Sequence, residues 1–171
     1  MSRIILYTGA NCTGSSTSFT RNISAFTDHR TVMSIRVEGD AVWILYSEEH
    51  YKGDIAVFKQ GEYKSLSANV KGVKSVRKLS GTLEDFSITV CEDSYFEGEQ
   101  HNIKIAENLR LPYPIMSHQV NGGVWLLYDR PVYGGKHIVS VAEDSVTDET
   151  NVGLGQTVNS LKAYLTYETP N

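Results

Sequence analysis

A chain of 171 residues with 16 Lys and Arg against 20 Asp and Glu, a formal charge of −4, has no polycationic surface for a phosphate backbone. Its 40% hydrophobic and 21% charged content is that of a globular protein, long enough for one large domain or two of roughly 80–90 residues. The apolar run near the start, Ile4–Tyr7, falls short of the roughly 7–15 residues of a signal peptide or the ~18 of a membrane span. Two cysteines make no disulfide framework, so a reduced, cytoplasmic protein is expected, with neither nucleic acid nor membrane as partner.

Taken in chain order, the apolar residues fall in short alternating or continuous runs broken by Gly, Asn, Asp and Ser. They predict strands at Arg3–Tyr7, Thr17–Arg21, Met33–Val37, Val42–Tyr46, Ile55–Phe58 and Lys74–Leu79 in the first half. The second half repeats the theme at Phe86–Cys91, Gln100–Ile105, Ser117–Val120, Val124–Tyr128, His137–Val141 and Ser160–Tyr164. No 3.6-residue period is sustained, and so many short strands separated by turn residues indicate an all-β sandwich.

Two of these runs are versions of one block. VWILYSEEHYKG, from Val42 to Gly53, returns as VWLLYDRPVYGG, from Val124 to Gly135, with Trp, Tyr, Tyr and Gly at identical spacing. Weaker relatives precede each, IILYTGANCTG from Ile4 and SITVCEDSYFEG from Ser87. The starting residue is Tyr7, Tyr46, Cys91 or Tyr128. Five residues on comes Cys12, Tyr51, Phe96 or Tyr133, and two further comes Gly14, Gly53, Gly98 or Gly135. A Ser in a strand-like run follows each Gly, namely Ser34, Ser75, Ser117 and Ser160. The reading is a strand that turns sharply, an aromatic folded back over the turn, a Gly at positive φ, and a Ser that closes the hairpin by hydrogen bonding. Trp43, Trp125, Tyr46, Tyr51, Tyr128 and Tyr133 are then core and corner residues rather than a binding face.

This fourfold pattern, Tyr-x4-aromatic-x-Gly followed by a SIRV-like Ser strand, resembles the βγ-crystallin superfamily, as a two-domain member with four Greek-key motifs. The resemblance implies two domains, each a sandwich of two four-stranded antiparallel sheets. It places an N-terminal domain at 1–80 (motifs 1–40 and 41–80), a linker at 81–85 and a C-terminal domain at 86–171 (motifs 86–122 and 123–167). Cys12 and Cys91 depart from the pattern, so the first and third hairpins should be less well covered than the second and fourth. The loop Glu143–Gly155 holds four acidic residues and reads as solvated, with Gly153-Leu154-Gly155 as flexible punctuation.

The family's calcium signature, Asn/Asp-Asn/Asp-x-x-Ser/Thr-Ser, is degenerate around Ser34, Ser75, Ser117 and Ser160. Its fifth position should offer an oxygen, yet here it is Arg36, Arg77, Gln119 or Lys162. Three of these are donor-only cations that repel the ion, which leaves at most weak Ca²⁺ binding and no other cofactor. Gln119, with Glu92 and Asp93, is the remnant that keeps some oxygen chemistry.

Enzymatic readings find no support. The five histidines, His29, His50, His101, His118 and His137, have no metal-site spacing. Ser117 and His118 are adjacent on a strand and point to opposite faces, and Cys91 has the anionic neighbours Glu92 and Asp93, the wrong environment for a thiolate. No small-molecule substrate is expected.

VWILY and VWLLY are apolar on both faces, more than one wet-faced sandwich strand requires. By the resemblance, Ile44 and Val57 in the first domain and Leu126 and Val139 in the second form an interdomain patch. The expected partner is therefore the chain itself, within one molecule or as a domain-exchanged dimer. The function expected is that of a non-enzymatic, structural, stable packing protein, refractive if expressed in a lens. Three Met, two Cys and seven Arg against nine Lys are closer to a non-lens or invertebrate type. The alternative left open is a calcium-binding non-lens relative with degenerate sites and a stress or epidermal role.

Overall fold

A computed structural model describes the chain except at residues 27–30, 67–71, 80–82, 84, 105–110, 112, 153 and 155–156. The linker expected at 81–85 and the Gly153–Gly155 punctuation lie largely outside the described residues. The chain divides into two units, Met1–Ser80 with Thr166–Asn171, and Gly81–Leu165. The last six residues, expected with the second domain, thus group with the first. No helix among the described residues is long and apolar enough to cross a membrane.

In the first unit, β1 (Arg3–Gly9), β2 (Thr13–Phe19), β3 (Ser34–Glu38) and β6 (Gly61–Tyr63) form a sheet in the order β2-β1-β3-β6. A second sheet holds β4 (Val42–Glu48), β5 (Lys52–Phe58) and β7 (Ser75–Leu79), ordered β5-β4-β7. β6 comes from the second half of the unit but pairs with β3 of the first, setting Ile35 opposite Tyr63 and Val37 opposite Gly61. That crossing makes the two halves interdependent, the mark of a Greek key.

The second unit repeats the scheme. β8 (Ser87–Cys91), β9 (Gln100–Lys104), β10 (Ser117–Gly122) and β13 (Ser145–Val146) are ordered β13-β10-β8-β9. β11 (Val124–Arg130), β12 (Gly134–Val141) and β14 (Ser160–Ala163) are ordered β12-β11-β14.

Each unit therefore has one four-stranded and one three-stranded sheet among the described residues, where two four-stranded sheets were expected. In the first unit the missing strand is reduced to a bridge. Ile23 exchanges both backbone bonds with Val76, at 2.9 and 3.0 Å, and Asn22 Oδ1 accepts from Lys78 N at 2.7 Å. β6 and β13 are absent from the sequence-based strands because three residues containing Gly, and two residues among acidic neighbours, show no period of two.

The core of the first unit gathers Ile4, Leu6, Ile35, Val37, Trp43, Leu45, Ala56, Phe58, Tyr63 and Val76. Trp43 and Leu45 alternate into it from β4, and the indole N–H, which must find a partner when buried, donates to Ser2 Oγ at 3.0 Å. Trp125 is equally buried and donates to Gly122 O at 3.0 Å. Tyr63 makes a closed corner: its hydroxyl donates to Lys59 O at 2.8 Å and accepts from Lys59 N at 3.1 Å, and burial raises its pKa.

Candidate functional site

The chemistry-bearing residues gather at the four hairpins and at one buried cluster. In each hairpin two successive non-glycine residues adopt left-handed backbone: Asn11 and Cys12, His50 and Tyr51, Tyr95 and Phe96, Val132 and Tyr133, with φ between 55° and 61°. The glycine two residues later, Gly14, Gly53, Gly98 or Gly135, has φ between 74° and 85°. At Gly135 an added Cβ would stand 1.9 Å from Asp129 Oδ1, so neither conformation nor space admits a side chain.

Non-glycine residues are uncommon in this region, and each hairpin needs something to hold it there. The serine supplies it. Ser34 Oγ donates to Gly9 O at 2.5 Å and accepts from Cys12 N at 2.9 Å. Ser75 does the same with Glu48 O (2.6 Å) and Tyr51 N (3.2 Å), and Ser117 with Asp93 O (2.6 Å) and Phe96 N (3.0 Å). Ser160 serves Arg130 O (2.6 Å) and Tyr133 N (3.0 Å).

A second lock escaped the sequence reading. The residue directly after the starting Tyr accepts from the N–H just past the glycine: Thr8 from Ser15 at 3.0 Å, Ser47 from Asp54 at 2.8 Å, and Asp129 from Lys136 at 2.9 Å. A short polar side chain after Tyr in three blocks was the available signal. Glu92 holds that place in the third.

The rings pair only in the second and fourth hairpins. Tyr46 and Tyr51 lie 5.5 Å apart between centroids at 58°, and Tyr128 and Tyr133 lie 5.6 Å apart at 56°. Cys12 is partly exposed, whereas Cys91 is buried. In the third hairpin Tyr95 projects outward, 67% exposed.

At three of the four degenerate calcium windows the fifth position stands by a hairpin tyrosine. Arg36 lies 6.0 Å from the Tyr7 centroid, and Arg77 lies 5.4 Å from that of Tyr51. Lys162 sits 4.9 Å from Tyr133 and 5.8 Å from Tyr128. Arg36 also meets Glu62 at 2.8 Å, and its guanidinium is raised above its ordinary value by Tyr7 and then Glu62. Each cation is attracted by a π-face it covers. Gln119 in the third hairpin is neutral and exposed.

The buried cluster keeps Ser117 and His118 apart, as expected, and corrects the reading of the acidic loop. His118 does find a serine, though not its neighbour. Ser117 turns to the hairpin, and His118, on the opposite face of β10, accepts or donates through Nε2 to Ser140 Oγ on β12 at 2.8 Å. Its Nδ1 pairs with Glu149 Oε1, and all three groups are buried, at 0%, 3% and 0% exposed.

Glu149 belongs to the acidic loop expected to be wholly solvated. A one-turn 3₁₀ helix, Glu149–Asn151, points it inward. Asp148 Oδ1 accepts from Thr150 N at 3.0 Å, and Glu149 N donates to Met116 O at 2.9 Å. Serine, imidazole and carboxylate thus stand in the connectivity of a nucleophile, its base and an orienting acid. The serine itself lies in the interior, 3% exposed. The cluster acts as a tie between loop and sheets. Among the described residues no three His, Cys, Asp or Glu converge as a metal site.

Ile44 stands opposite Val57, and Leu126 opposite Val139, as cross-strand pairs. Ile44 and Val57 are fully buried, Leu126 is 9% exposed and Val139 half-buried.

Residues 3–79 match the family model Beta/Gamma crystallin. The chain is 25% identical over 168 residues to the human "Beta/gamma crystallin domain-containing protein 2", covering 94% of this chain and 10% of that protein. It is 32% identical to Gamma-crystallin S-1 of Chiloscyllium indicum, over 60% of this chain and 63% of the relative. Among solved structures, the fifth crystall domain of the non-lens protein Absent in melanoma 1 aligns at 32% identity, with 47% of this chain and 90% of that domain covered and a TM-score of 0.43. The chain therefore spans less than two thirds of these curated relatives' lengths. Residues 3–79 thus belong to the beta/gamma crystallin family, and the second unit repeats their hairpin and serine lock.

Proposed function

We propose that this chain is a non-enzymatic structural protein whose asset is a stable fold able to pack at high concentration, without tight calcium binding in the family's mode. One observation carries the reading. At three hairpins the position that would offer calcium an oxygen carries Arg36, Arg77 or Lys162, held over an aromatic ring. A resident cation opposes a divalent one by Coulomb repulsion and brings no acceptor. The burial of Ser140 supports the non-enzymatic part. Expression in a lens would make the packing refractive.

Titration calorimetry with Ca²⁺, beside melting curves with and without it, tests this. The expected result is no binding heat and no shift in Tm, because only a ligand that binds the native state stabilises it. Binding heat with a raised Tm would overturn the reading.

A second reading, weak calcium binding, is favoured at one place only. The third hairpin has neutral Gln119 on its serine strand where the others carry cations, and exposed Glu92 and Asp93 in its turn. Calcium-dependent NMR shifts confined to these three residues would support it.

A further inference from the structure

The first unit ends in two open sheet edges, and one segment lies on both. β5 is the edge of its sheet and β6 the edge of the other. Edge strands expose unpaired backbone groups that an extended peptide can use. Within this unit, Glu168 N donates to Val57 O on β5 at 3.0 Å, and Asn171 N donates to Glu62 O on β6 at 3.0 Å.

Side chains add selectivity. The Asn171 carboxamide is used at both ends: Oδ1 accepts from Lys64 N at 2.6 Å and Ser65 N at 3.3 Å. Nδ2 donates to Ser65 O at 3.2 Å and Ser65 Oγ at 3.0 Å. Aspartate has no N–H to donate to the Ser65 carbonyl, and alanine makes none of these bonds. Pro170 lies against Gly61, where an added Cβ would come within 2.7 Å of its Cγ. The Lys59 ammonium lies 4.8 Å from the Tyr167 ring centroid.

We propose that the β5–β6 rim of the first unit is a peptide-binding site that recognises an extended Tyr-x-x-Pro-Asn segment. Residues 167–171 are its ligand in cis, and the same segment of a second copy is the ligand it takes in trans. Carboxamide, proline and aromatic each meet a matching feature: paired N–H donors, a bare glycine and a cation. Backbone bonds to both edges fix the extended register.

Belonging to the same chain holds such a ligand at an effective concentration on the order of 1 mM. Occupancy in cis above nine tenths requires an intrinsic Kd about tenfold lower, so a free peptide should saturate the vacated rim at about 1 mM. The test uses the 171-residue chain, ¹⁵N-labelled, as wild type and Asn171→Ala, with the amidated peptide Tyr-Glu-Thr-Pro-Asn and a control ending in Pro-Ala.

Exchange of the Lys64 and Ser65 amides should speed at least tenfold in the variant while β1 and β3 amides stay unchanged. The Asn peptide should restore protection and shift those two resonances. The control should not, and wild type should respond weakly to either. Equal exchange in wild type and variant, or equal response to both peptides, would overturn the proposal. Asn171 is exposed, so the variant keeps its fold, and the unchanged β1 and β3 amides check this in the same spectra.

Discussion

Removing one member of the His118–Glu149 pair should harm the second unit more than removing both. His118→Leu leaves the Glu149 carboxyl group inside the sandwich without its imidazole partner. Among the described residues Glu149 Oε2 already lacks a hydrogen-bond partner, so Oε1 carries the whole compensation. Breaking a buried pair from one side costs about 3–5 kcal/mol, and His118→Leu also strands Ser140 Oγ, worth about 1 kcal/mol more. Glu149→Leu leaves an imidazole that keeps Ser140 at 2.8 Å, and should cost about 2–3 kcal/mol. The double variant puts apolar volume where a desolvated pair stood, and such replacements are often neutral. It should lie within about 1–2 kcal/mol of wild type. Urea unfolding followed by Trp125 fluorescence, in a Trp43→Phe background, measures the cycle, whose coupling should be about 3 kcal/mol or more. Additive single costs would refute the view that the two groups compensate each other.

Two further outcomes follow from geometry already given. Ser75 and Ser160 make the same two bonds, but Ser75 is fully buried and Ser160 half-exposed, so water can replace the second and not the first. Ser75→Ala should cost about 2–3 kcal/mol and Ser160→Ala about 1 kcal/mol, read as urea midpoints of each unit; equal costs would sink the argument. The Glu38 carboxylate is held below its ordinary pKa by its hydrogen bond to Arg3 and then by that residue's charge. Its stabilising contribution is therefore present above the unfolded pKa and lost as pH falls through the folded one. Both groups are exposed, so 1 M salt should blunt the effect. In Arg3→Met the Glu38 titration, followed by carboxyl NMR, should move upward; an unmoved titration would deny the pair any influence.

The repeat made most of the fold legible. A Trp, two Tyr and a Gly at fixed spacing announced the hairpins, and the closing serines were found from the same alignment because each lies in a short apolar strand. β6 and β13 stayed hidden because their strand character comes from the partner, β3 or β10, rather than from their own two or three residues. The buried cluster was missed for a related reason. His118, Ser140 and Glu149 are far apart in the chain, and acidic neighbours made Glu149 read as solvated. Only the crossing of β10 beneath β12 reveals that they meet. The return of 166–171 to the first unit had no signal of period or composition, since its recognition is by one carboxamide and one proline.

The paired left-handed residues carry a consequence for how freely this chain can vary. Asn11, His50, Tyr95 and Val132 share one backbone conformation and no chemistry, and all four side chains are exposed. What the motif encodes at that place is a bend, leaving the side chain as an open slot on each of four tips. Val132 fills its slot at a cost, because a β-branched residue at φ 55° is strained by about 1–2 kcal/mol. Each tip is therefore a position where surface character can be rewritten without consulting the core, and Val132→Asn would do so while relieving strain.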